Sequence, residues 1–117
     1  MDPNLEKRGV ENPRVVDLIT RNPETDEVVL VMLEERSWGE DPAQIQQIEA
    51  KFNSYLAYVQ GGYMAREYPQ YADCEVSIQL DCASPPRAED QAFLQAIQSF
   101  AAGEKIRFAI QVTTPQR

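Results

Sequence analysis

The run Val28-Val29-Leu30-Val31-Met32-Leu33, set between Glu27 and Arg36, organises this chain. It falls far short of the ~18 apolar residues that span a bilayer and reads as a strand. Upstream, Val15 to Asn22 reads as a first strand. The cluster Asn22-Pro23-Glu24-Thr25-Asp26 between them is a turn, because Pro and Asp restrict or cap the backbone. Two strands joined by a short turn make an antiparallel hairpin.

Downstream, Asp41-Pro42-Ala43-Gln44 starts a helix. Asp41 can cap free amides, Pro42 fits the first helical position, and Gln44 can complete a capping box. Ile45, Ile48, Phe52, Tyr55, Leu56 and Val59 recur at helical spacing, and Gly61-Gly62 supplies the left-handed stop. Tyr63 to Asp73 contains Pro69, so it predicts a helical turn followed by a loop. From Cys74 to Cys82, Cys74, Val76, Ile78, Leu80 and Cys82 alternate with Glu75, Ser77, Gln79 and Asp81, the pattern of a strand. Ser84-Pro85-Pro86 opens a second helix, with Glu89 and Asp90 complementing its dipole. Phe93, Leu94, Ile97, Phe100 and Ala101 form its buried stripe, Gly103 ends it, and Lys105 to Val112 is a last strand.

The order is ββαβαβ. It predicts an α+β fold: a four-stranded mixed sheet with two helices packed on one face. The β-α-β unit through the second helix is parallel if its strands share a sheet. Residues 14–113 make a single domain, and residues 1–13, polar and charged, make a mobile N-terminal arm.

The second strand is apolar on both faces. Val28, Leu30 and Met32 point one way and Val29, Val31 and Leu33 the other, with Val15 and Ile19 continuing the second set. On that second face the third and fourth strands present Glu, Ser, Gln, Asp, Lys and Arg, so it is wet there. An apolar patch beside wet neighbours calls for a cover. The arm, the segment Tyr63 to Asp73, or a second copy can supply it. A second copy makes a homodimer with Val29, Val31, Leu33 and Ile19 at the interface. The competing reading is a central strand covered by its own chain.

The formal net charge is −8 over 117 residues. It opposes nucleic-acid binding and anionic membrane surfaces. It suits a basic protein partner, or solubility alone. The segment Met1 to Pro13 does not read as a secretory signal, which leaves a cytoplasmic location. Cys74 and Cys82, eight residues apart on one strand, would lie ~26 Å apart, beyond the ~7 Å reach of a disulfide. Both read as small buried hydrophobes on the apolar face.

The chain has no histidine, which removes the commonest general base and metal ligand. No cofactor is implied. Glu34, Glu35, Glu40 and Asp41 surround the first turn of the long helix without the alternation of a calcium loop, so they read as a solvated rim and not a metal site. Asp17, embedded between Val16 and Leu18, is either a buried functional acid or an acid on the solvent face. Trp38, before Gly39 at a strand-to-helix corner, is a binding hot spot or a lid on the core edge. Lys51, Tyr55 and Tyr58 lie at i, i+4 and i+7 along one helix edge. With Tyr63, Tyr68 and Tyr71 they suit an interface, a ligand groove or an edge leaving the core.

Val16-Asp17-Leu18-Ile19, the hairpin, Trp38-Gly39, and Lys51-Phe52-Asn53-Ser54-Tyr55-Leu56-Ala57-Tyr58-Val59 together resemble a small bacterial family of uncharacterised proteins. The resemblance covers roughly residues 15–112. It implies an α+β domain, brings no activity, cofactor or catalytic residue, and marks Asp17, Trp38, Lys51, Asn53 and Tyr55 for testing. The leading functional expectation is a non-enzymatic cytosolic protein, self-associating, that binds a protein partner. The alternative is a small-molecule-binding domain or minor enzyme with a pocket near Trp38, Lys51 and Tyr55.

Overall fold

Seven of the nine residues from Val28 to Arg36 form an interior strand of the sheet, and the rest of the fold is arranged around them. The computed structural model describes residues 9–13 and 15–113. The elements are β1 (Leu18–Arg21), β2 (Val28–Glu34), α1 (Gln44–Gln60), α2 (Tyr63–Glu67), a 3₁₀ turn (Pro69–Tyr71), β3 (Val76–Cys82), α3 (Ala88–Gly103) and β4 (Arg107–Val112). The architecture is α+β, with one mixed sheet in the order β1-β2-β3-β4. β1 is antiparallel to β2, while β2–β3 and β3–β4 are parallel. Both parallel crossovers step the same way across the sheet. Right-handed connections therefore bring α1 and α3 to the same face.

The register explains the core. Leu30 pairs with Ile78, and Ile78 with Phe108; Met32 pairs with Leu80, and Leu80 with Ile110. Ile48, Phe52, Tyr55 and Leu56 from α1 and Leu94, Ile97 and Ala101 from α3 close over this row. Phe52 meets Phe108 edge-on at 5.6 Å between ring centroids, the arrangement aromatic quadrupoles prefer.

The hairpin turns between Asn22 and Glu27, whose backbone groups bond at 2.8 Å. Asn22 Oδ1 accepts from the Glu24 amide, and Asp26 sits at φ 61°, a conformation that Asp tolerates better than most residues. This turn sets a register that differs from expectation in one respect. Leu18 pairs with Val31 and Ile19 with Leu30. Ile19 therefore faces the helices and packs against the core, and Leu18 takes the position beside Val31. Ile19 does not continue the Val29, Val31, Leu33 set, because antiparallel partners share a face and a one-residue step changes faces.

The open face is drier than its sequence implies. Val31 is 3% exposed, Ser77 is buried, and Val29, Leu33, Gln79 and Asp81 are half-buried. β2 and β3 are interior strands, so flanking side chains screen them: Leu18 and Gln79 stand either side of Val31. Gln79 also donates to Asp81 Oδ1 at 2.6 Å.

Several ends move inward. β3 begins at Val76, so Cys74 lies in the preceding turn, half-buried, and not on the strand face. α1 begins at Gln44, not Pro42. Asp41 Oδ1 accepts from the Ala43 amide at 2.8 Å, and Gln44 reaches back to the Gly39 amide instead of forming a capping box with Asp41. Gly62, at φ 80°, is the left-handed residue after α1. At the start of α3, Asp90 Oδ2 accepts from the Arg87 amide at 3.0 Å and its carboxylate also accepts from the Arg87 guanidinium. Phe100, expected in the buried stripe, is 53% exposed. Of the expected arm, residues 1–8 lie outside the described residues, but Gly9 and Val10 are buried and Val10 belongs to the core.

Candidate functional site

The residues singled out in the sequence do not form one site. Three of them, Asp17, Lys51 and Tyr55, meet in a buried cluster. The helical spacing of Lys51 and Tyr55 puts both on the core side of α1, and Asp17 arrives one residue before β1. Lys51 and Asp17 have no exposed side-chain surface, and Lys51 Nζ lies 2.6 Å from Asp17 Oδ1. The other two ammonium protons go to the carbonyls of Gly9 (2.7 Å) and Asn12 (2.9 Å). Asp17 Oδ1 also accepts from the Gly9 amide, and Oδ2 accepts from the Leu33 amide, each at 2.8 Å. The Tyr55 hydroxyl accepts from the Asp17 amide (2.8 Å) and donates to the Val31 carbonyl (2.7 Å). It bridges Asp17, the residue before β1, to Val31 of β2, which pairs with Leu18 at the end of the ladder.

Gly9 sits at φ 117°, where a side chain is strained and a Cβ would lie 2.5 Å from Glu11 Oε1. Burying an unpaired charge costs several kcal/mol or more, so a buried lysine needs partners for its protons. Here all three protons have them. Desolvation raises the Tyr55 hydroxyl well above its ordinary pKa, so it holds its proton across the physiological range. A group of this kind holds chain segments together. Proton transfer would first have to break bonds that anchor the backbone.

A second cluster, built on one buried carboxylate, lies at the C-terminal end of β2, and sequence reasoning missed it. Glu34 was expected in a solvated rim but is wholly buried. It accepts from the Arg36 amide and Nε at 2.9 Å and from Nη2 at 2.8 Å. Arg36 Nη1 then reaches Asp41 Oδ2 at 3.0 Å. Asp41 in turn steadies the start of α1 through Ala43. The hydrogen bonds and charge of Glu34 raise the Arg36 guanidinium above its usual value. Parity along β2 could have revealed this, since Glu34 continues the series Val28, Leu30, Met32.

Trp38 belongs to this second region. It is buried in the core edge, and its indole N–H donates to the Ser84 carbonyl at 3.1 Å. Nearby Cys82 is buried, and desolvation, with Glu34 and Asp81 adding to it, pushes its thiol up to about 12. Its reactive thiolate is therefore suppressed. Asn53 is exposed on the outer side of α1, at the rim of a groove shared with α3. Tyr58 is half-buried, and its hydroxyl bonds Glu67 of α2. Among the described residues, no three Cys, Asp or Glu side chains converge in a metal-holding cluster, and no helix is long and apolar enough to cross a membrane.

A family model matches residues 8–114 of the chain. The chain belongs to a family of unknown function, DUF6572. The match takes in both clusters and begins just before Gly9. No curated protein and no solved structure matches the chain.

Proposed function

We propose that this protein is a non-enzymatic, cytosolic interaction module that associates with itself. One observation supports the non-enzymatic part of the reading: the residues best suited to chemistry, Asp17, Lys51 and Tyr55, are engaged in holding Gly9, Asn12, Val31 and Leu33 in place. The alternative pocket near Trp38, Lys51 and Tyr55 would need Lys51 to offer a proton to a ligand, and its three protons are taken. Trp38 points its one donor at Ser84. What remains for function is surface, and the net charge of −8 favours a basic protein as a further partner.

Sedimentation equilibrium of the whole chain tests the reading. A monomer–dimer equilibrium is expected at concentrations of roughly 1 mM or below, the weak end of specific association. A chain that sediments as a monomer throughout that range ends the self-association reading.

A further inference from the structure

The outer surface of the two long helices is almost free of charge. The 17 residues of α1 and 16 of α3 carry four charged side chains: Glu49, Lys51, Glu89 and Asp90. Lys51 and Asp90 are buried, which leaves Glu49 and Glu89 at the surface. From Gln91 to Gly103 there is no charge at all, although charged residues make up 26% of the chain. An ordinary protein surface is about 25–35% charged. The exposed positions are instead residues such as Gln46, Ala50 and Ala57 on α1 and Ala92, Ala96 and Ser99 on α3.

Between the helices runs an apolar groove of about 260 Å³. Phe52, Phe93, Ile97 and Phe100 line it, with Glu49 and Asn53 at its rim. Phe100 leans edge-on against Phe52 at 6.3 Å and is 53% exposed. Depletion of charge with enrichment of aromatic side chains is the composition of an interface centre.

We propose that this α1/α3 face docks a second copy of the chain, a refinement that rests on the self-association proposed above. Charge selects the occupant. Two copies at −8 each repel, and that repulsion is least where the facing surfaces carry no charge. A basic partner would gain most on the acidic remainder of the molecule and least here. Size permits it too: a face about 24 Å long and about 20 Å wide lets two copies bury on the order of 1,000 Å², the lower bound for a specific contact. The sheet face has less to offer, since Val31 is already 3% exposed in one copy.

Sedimentation equilibrium on substituted chains tests the placement. Ala92→Glu and Ala96→Glu, both at exposed helix positions, are each expected to weaken the dimer at least about tenfold, with circular dichroism and melting unchanged. Leu18→Glu, on the sheet face, is expected to leave the dimer constant at its wild-type value. Raising NaCl from about 20 mM to about 500 mM is expected to tighten the dimer, because salt screens the repulsion between copies. A dimer that survives both alanine substitutions, or that Leu18→Glu dissolves, overturns the placement and leaves self-association standing. A dimer that salt loosens also overturns it, since the contact would then rest on opposite charges. A wild-type monomer removes the self-association reading itself.

Discussion

Asp17 and Glu34 are both wholly buried carboxylates, and each has a cationic partner. They differ in where the partner comes from. Arg36 lies two residues from Glu34 and reaches it within one local turn of chain. Lys51 lies 34 residues from Asp17, on another element, and also binds Gly9 and Asn12. The Glu34 pair therefore assembles locally, whereas the Asp17 pair exists only once the hairpin, α1 and the segment before β1 have come together. The first finishes the end of a strand. The second joins three parts of the fold, and its loss is felt by all of them.

The largest expected effect comes from breaking the distant pair. Lys51→Met leaves Asp17 buried without its counter-charge and should cost about 3–5 kcal/mol. Arg36→Met should cost less, about 2–3 kcal/mol, because Glu34 keeps the Arg36 amide and borders a groove at the strand end that water can enter. Urea unfolding of the two variants checks the ranking. Equal losses would mean that distance along the chain does not matter to these pairs.

Tyr55→Phe isolates the bridge from the charge. It leaves the Asp17 amide and the Val31 carbonyl without their shared partner, for an expected loss of about 1–3 kcal/mol. Amide exchange should report it at Asp17 and Leu33 before the rest of the sheet. A uniform loss of protection would mean that the hydroxyl supports the whole core and not this junction.

The smallest effect concerns a third carboxylate with a local partner. Arg87 beside Asp90 lowers the carboxyl below its ordinary value. A lowered native pKa means that the unfolded chain binds more protons. The stabilisation is then present above the unfolded carboxylate value of about 3.9 and is lost as pH falls through the lower native one. Asp90→Asn should therefore flatten the acid limb of stability against pH while leaving the slope near neutrality unchanged. Urea midpoints across the acid range measure it, and a wild-type slope in the variant would exclude Asp90 as its source.

Part of this was legible beforehand, for identifiable reasons. The alternation from Val76 to Cys82 and the helical spacing from Ile48 to Leu56 gave the elements and their core faces, because each repeat reflects the geometry of its own backbone. The sequence marks Asp17 as an acid in a strand and Lys51 and Tyr55 as two residues on one helix edge. Their meeting could not be read, because the partners Gly9 and Asn12 stand in a segment with little apolar content and act through backbone carbonyls. Glu34 was misplaced because its neighbours Glu35, Glu40 and Asp41 suggest a solvated rim, while its parity along β2 says otherwise. Ile19 was misplaced because the hairpin register depends on how Asn22 to Glu27 turns.

The sequence by itself determined the order ββαβαβ, the core-facing sides of α1 and β3 and the concentration of charge outside the two long helices. These are local properties, written in the period of the side chains and in their types. The tertiary structure alone decided the strand order β1-β2-β3-β4, which residue of β1 stands beside Val31, and that Asp17, Lys51 and Tyr55 share one buried junction. Those depend on which distant groups can satisfy each other's charges and hydrogen bonds once water is excluded, and no periodicity along the chain encodes that.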